Sequence, residues 1–149
     1  MTKNTELNFD LNDLFLSETA ELHLDHPRDD GSKLYAPVAK DQPEDSRPVT
    51  LTVYGSASAQ YRKAMEVMHK KTNARGKRLA SADEVRNESV DFLVAVSVKF
   101  DNITFDGEIV ETQAAFRKIY SNPKWDWLTK QVTQFVFTDS NFLGKSKSN

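Results

Sequence analysis

The sequence predicts an α+β chain: a small N-terminal antiparallel sheet of about three strands, then a C-terminal helical part of about four helices. Three observations lead there. Between residues 19 and 55, apolar and polar residues alternate at the period of a half-buried strand. From residue 56 onward, apolar residues recur three and four apart, as on one face of a helix. Helix punctuation, namely a capping box, a terminating glycine and an N-terminal proline, marks this second part. The chain of 149 residues thus divides into a flexible leader (1–18), a β-rich part (19–55), a helical part (56–143) and a flexible tail (144–149).

Each element follows from its residues. The leader contains "LNDLFL", which allows one short helical turn. "TAELHLDHP" sets Ala20, Leu22 and Leu24 against Glu21, His23 and Asp25, a first strand. "RDDGS" has turn composition, and "KLYAPVA" (33–39) reads as a second strand, so the two form a hairpin. "KDQPEDSRP" is a loop. "VTLTVYG" is β-branched and alternating, a third strand ending at Gly55. A first helix then carries Tyr61, Ala64, Met65 and Met68 on one face and stops at Gly76. "SADE" at 81–84 is a capping box that opens a second helix. Val85, Ser89, Phe92 and Val96 follow at helical spacing, but "FLVAVSV" also fits a strand, which leaves that helix's end open. "KFDNITFDGEIV" turns at Asp106-Gly107 and reads as a small hairpin or extended loop. "TQAAFRKIY" is a short helix with Phe116, Ile119 and Tyr120 on one side. Asn122 caps the last helix and Pro123 occupies its first position. Trp125, Leu128, Val132, Phe135 and Val136 form its core stripe.

Composition excludes several function classes. Net charge is −2 and the isoelectric point about 5.9, which argues against a general nucleic-acid coat. There is no cysteine, hence no disulfide and no cysteine-ligated metal. No apolar run reaches the ~18–20 residues of a membrane span, and the polar, acidic first residues do not resemble a secretory signal. Charge is uneven: residues 1–31 hold eight acids against Lys3 and Arg28, while residues 69–78 hold five bases and no acid. Two solvated surfaces of opposite sign explain this, as does electrostatic pairing between copies or with a partner.

Motifs of catalysis fail on inspection. "VYGSAS" lacks the G-x-S-x-G of a nucleophile elbow, and a helix cap accounts for its serines. "GKS" at 144–146 lacks the glycine of a phosphate loop, since position 139 is Asp139. His23 and His26 fall on opposite faces of a strand. "DNITFDG" lacks the alternating oxygens of a calcium loop. We therefore expect no enzymatic activity, no cofactor and no metal.

The stretch from Tyr120 to Phe142 concentrates aromatic residues. Beyond the core stripe, Trp127 and Phe137 fall on the polar face of the helix. Either the helix buries both sides, or these two are exposed anchors for a partner. On the anchor reading, replacing both with Ala leaves the melting temperature nearly unchanged.

From residue 49 to 143 the order of features resembles the tail assembly chaperones of long-tailed bacteriophages. "VTLTVYGSASAQYRKA" resembles their strand followed by a Tyr-Arg helix. "VKFDNITFDGEIV" resembles their aromatic, turn and Asp-Gly-Glu segment. "FRKIYSNPKWDWLTKQVTQFVFTDSNFL" resembles their closing signature. The resemblance implies a non-catalytic protein of the host cytoplasm. It would bind and solubilise the tape-measure protein and promote assembly of the tail-tube protein around it. Adaptable apolar side chains suit a long helical partner. The expected contact residues are Tyr120, Trp127, Phe137, Phe142 and Leu143, then Met65 and Met68. Self-association is a further expectation, while nucleic-acid and membrane partners are not expected. The alternatives are a structural tail protein, such as a terminator or connector subunit, and a nucleic-acid-binding regulator using Lys70, Lys71, Arg75, Lys77 and Arg78. The regulator's binding would fall steeply with salt.

Overall fold

The computed structural model describes residues 8–29, 31–37 and 46–144. Residues 1–7 of the leader, part of the strand read at 33–39, most of the loop at 40–48 and tail residues 145–149 lie outside the described residues. The fold is α+β, as the sequence indicates. Its elements are β1 (Thr19–His23), β2 (Tyr35–Ala36), β3 (Arg47–Pro48), β4 (Thr50–Tyr54), α1 (Ala59–Arg75), α2 (Ala82–Val96), β5 (Ser97–Asp101), β6 (Thr104–Phe105), β7 (Glu108–Ile109), α3 (Gln113–Tyr120) and α4 (Asp126–Val136). Single 3-10 turns cover Leu11–Asp13, Pro123–Trp125 and Asp139–Phe142.

The main sheet has the order β1-β4-β5, antiparallel throughout. Leu22 and Phe100 both lie opposite Leu51, and Ala20 lies opposite Val53. These apolar positions face the helices, while Glu21, Thr52 and Lys99 face outward. Two sequence expectations are corrected here. Residues 33–39 do not form the main partner of β1. After the turn that follows His26 they give one bridge, Asp25 to Lys33, and then Tyr35–Ala36 pairs with β3. The third strand comes instead from the helical half. α2 ends at Val96 and β5 begins at Ser97, so the helical and strand readings of "FLVAVSV" each hold for part of the run. The β4–β5 register shifts between Thr52 and Val53, where Thr52 pairs with Lys99 and Val53 with Ser97, leaving Val98 as the extra residue of a bulge.

Local chemistry explains the helix ends. The Ser58 side chain accepts from the Tyr61 amide and caps α1. The Ser81–Glu84 capping box opens α2 with both reciprocal bonds formed. Asp106 and Gly107 both take positive φ between β6 and β7, the backbone that a two-residue hairpin needs.

α2 is the central helix, packed between α1 and α3. Its predicted stripe is therefore too narrow. Val90, Phe92, Leu93, Val94 and Val96 are all buried, whereas Val85 and Ser89 are exposed. The predicted face of α3 holds, with Phe116, Ile119 and Tyr120 buried. Of the predicted stripe of the last helix Leu128, Val132 and Val136 are buried, Phe135 is partly buried, and Trp125, also partly buried, lies in the 3-10 turn before α4. Fully burying each such side chain contributes roughly 1.5–3 kcal/mol.

Ion pairs fasten α1 to its neighbours. Arg75 pairs with Glu88 where both are nearly buried. Asp91 receives Lys71 at 3.0 Å from α1 and Arg117 at 2.6 Å from α3. Partial burial works to raise the Asp91 carboxyl, but the hydrogen bonds from Arg117 and Lys71 outweigh it and hold the group below its ordinary range.

Candidate partner-binding surface

The residues expected to grip a partner separate into three kinds of environment. Tyr120 and Phe142 are core residues, 1% and 2% exposed, so their assignment to the contact surface is corrected. The Tyr120 hydroxyl lies 2.7 Å from Ser97 Oγ, and burial pushes its pKa upward. The Phe142 ring presses on the backbone of Gly55, where even a Cβ would come within 2.4 Å. Met65, Met68 and Trp127 are partly buried against the core. Trp127 lines a small apolar cavity of about 100 Å³ with Phe105, Trp125 and Leu128. Only Phe137 and Leu143, 51% and 46% exposed, offer substantial apolar surface.

Trp127 and Phe137 do not form one patch. Ten residues of helix separate them by roughly 15 Å along the axis. Trp127 faces the β6–β7 side, whereas Phe137 stacks on Phe92 of α2 with ring centroids 5.3 Å apart. The helix buries parts of both faces within its own chain, so the paired-anchor expectation does not describe it.

A different feature emerges between α2 and α4. The two helices run in the same sense, because Arg86 lies 3.9 Å from Asp126 and Phe92 stacks on Phe137 further along both. Between these contacts is an open cleft of about 740 Å³. Val90, Leu93 and Tyr120 form its floor, all buried in the core, while Thr129 and Thr133 line the α4 side. Val85, 53% exposed, stands at one edge, and Asp83, Arg86 and Lys130 supply a charged rim. An apolar floor with a polar rim is the arrangement of a protein-binding groove. The Arg86–Asp126 pair across one end is about half exposed, so opening it costs little.

Sequence reasoning missed this cleft. Helical spacing groups Val85 and Ser89 with the buried Phe92 and Val96 and does not mark them as exposed, and the threonines at 129 and 133 carry no signal of their own.

The basic run at 69–78 looks different once folded. Of its five bases, Lys71, Arg75 and Arg78 pair with Asp91, Glu88 and Glu84. Arg78 meets Glu84 through two hydrogen bonds of 2.8 and 2.9 Å, which hold the Glu84 carboxyl well below its ordinary range. Ser58 Oγ, fully buried, accepts from the Tyr61 amide and donates to the Gly55 carbonyl, so the second serine of "GSAS" serves as a cap. His23 Nε2 lies 2.9 Å from the Leu34 carbonyl, and His26 Nδ1 accepts from the Arg28 amide. Among the described residues no cluster of His, Asp and Glu could hold a metal ion. No helix there is long and apolar enough to cross a membrane.

Compared with known proteins, the chain matches no family, no curated protein and no solved structure.

Proposed function

We propose that this protein is a non-catalytic assembly chaperone that takes a helical segment of a long phage protein, the tape-measure protein, into the cleft between α2 and α4. The observation that carries the reading is the cleft itself. It offers an apolar floor flanked by two helices, and a third amphipathic helix placed there would complete a three-helix layer. The resemblance of residues 49–143 to tail assembly chaperones supplies the identity of the partner. The intramolecular pairing of Lys71, Arg75 and Arg78 removes most of the support for a nucleic-acid regulator.

The test is affinity capture of the tagged chain from infected cells, washed at high salt, beside a Ser89→Trp variant. Ser89 is an exposed residue of α2 that lines the cleft, so a tryptophan there fills the cleft without disturbing the core. Wild type should retain a long helical phage protein, and the variant should lose most of it while melting at the same temperature. Equal capture by both chains would exclude the cleft. Recovery of the protein from finished particles would favour a structural tail subunit.

A further inference from the structure

Two surfaces remote from the cleft carry an inference that does not depend on it. The first is the leader. Phe9 and Leu11 are 70% and 80% exposed, and Leu14 and Phe15 are exposed beside them. The segment is nevertheless anchored. Ser17 N–H donates to the Phe142 carbonyl at 2.6 Å, Gly144 N–H donates to the Phe15 carbonyl at 2.8 Å, and Leu16 bridges Leu143. The backbone is thus tied down while the apolar side chains face water, an arrangement that burial against another surface would relieve. Its charge is predominantly acidic: Asp10 and Glu18 lie in its described part, and Lys3 is the one lysine or arginine of residues 1–18.

The second surface is the outer face of α1. Lys63, Val67, Lys70 and Ala74 recur at helical spacing and are all exposed, with Glu66 the one acid beside them, and Lys77 is exposed just after Gly76 ends the helix. Among the described residues Lys63, Lys70 and Lys77 enter no ion pair, in contrast to Lys71, Arg75 and Arg78 beside them. Val67, 44% exposed, adds apolar surface between Lys63 and Lys70, and Leu79, 88% exposed, adds more in the connection that follows Lys77.

We propose that the leader of one copy docks on the lysine face of α1 in a second copy. Acid meets base, and Phe9 and Leu11 find apolar partners in Val67 and Leu79. Charge complementarity decides the occupant. Nucleic acid would suit the lysine face but be repelled by the leader, whereas a second copy satisfies both surfaces at once. The two surfaces differ, so the contact is heterologous: each copy keeps one surface free, and a third copy can add.

Analytical ultracentrifugation of the full chain over a wide concentration range tests this. The wild-type mass should rise with concentration past that of two chains. It should fall back at about 1 M salt, where the Debye length shrinks to ~3 Å. The charge-reversed leader, Asp10→Lys with Glu18→Lys, should weaken association about tenfold or more, and so should Lys63→Glu with Lys70→Glu. Mixing these two variants should restore association, because each then carries the complement of the other. Leu11→Ser offers a second route, since it removes an exposed apolar contact and leaves charge and fold alone. A wild type that stays monomeric or stops at two copies overturns the proposal. So does insensitivity to both charge reversals, a mixture that fails to reassociate, or an oligonucleotide that binds the lysine face of a chain that does not self-associate.

Discussion

Phe9 and Leu11, in the leader, are 70% and 80% exposed, whereas Tyr120 and Phe142, in the aromatic stretch before the C-terminal end, are 1% and 2% exposed. By composition the aromatic stretch reads as the place to grip a partner and the leader as a loose end. The fold reverses much of that. The aromatic stretch is mostly core because α4 and the turn after it close the open side of the sheet. Asp25 at the end of β1 exchanges hydrogen bonds with Gln131 of α4, and Phe135 packs beside Phe142. The leader is held at its end, where Leu16 packs against the core and backbone bonds join Phe15 and Ser17 to Gly144 and Phe142, while Phe9 and Leu11 before it stay exposed. Aromatic density therefore measures demand for core as much as interface, and exposure separates the two.

The sharpest way to break this comparison is to truncate one residue from each region. Phe142→Ala removes a fully buried ring from above Gly55 and should cost about 3–5 kcal/mol. Leu11→Ala should change stability by no more than ~0.5 kcal/mol. Urea unfolding of both variants reads the difference directly. Similar values for the two would mean that the leader packs in solution or that Phe142 does not.

A smaller effect sharpens the same point from the backbone side. Gly55 is a glycine because the Phe142 ring occupies the space of a Cβ, with ring atoms within 2.4 to 2.8 Å of it. Gly55→Ala overpacks that contact and should cost roughly 1–3 kcal/mol. Added to Phe142→Leu, which withdraws the ring, the same alanine should cost much less. Independent costs in a double-mutant cycle would separate the two residues and dismiss the contact.

What the sequence made legible follows from how local each signal is. The Ser81 capping box, the Ser58 cap, the Asp106-Gly107 turn and the stripes of α3 and α4 depend on residues within one or two turns, and all appear in the fold. The third strand of the sheet was hidden because Phe92 to Val98 is apolar almost throughout, and only the position of β4 decides where helix gives way to strand. The hairpin of β1 with residues 33–39 was expected because neighbours in sequence usually pair, but β4 takes that edge with five residue pairs. The cleft was illegible for a similar reason. It depends on how far apart α2 and α4 lie, and no residue pattern within either helix encodes a gap.

The smallest effect concerns Phe137, the one aromatic residue of the stretch that is about half exposed and still tied to the core. Its ring stacks on Phe92 at 5.3 Å with an interplanar angle of 14°, and Tyr61 meets it edge-on at 6.3 Å. Such a pair contributes about 0.5–1.5 kcal/mol beyond its buried area. Phe137→Ala should therefore lower stability by about 1 kcal/mol, less than Trp127→Ala, whose indole lines the small cavity beside Phe105. The Phe137 loss should shrink once Phe92 is replaced by Leu, because the stacking partner is then gone. If it persists unchanged, the ring acts through exposed area alone and Phe137 returns to the candidates for partner contact. If it shrinks, the stack of Phe137 on Phe92 closes the end of the cleft and helps to set the spacing of α2 and α4 there.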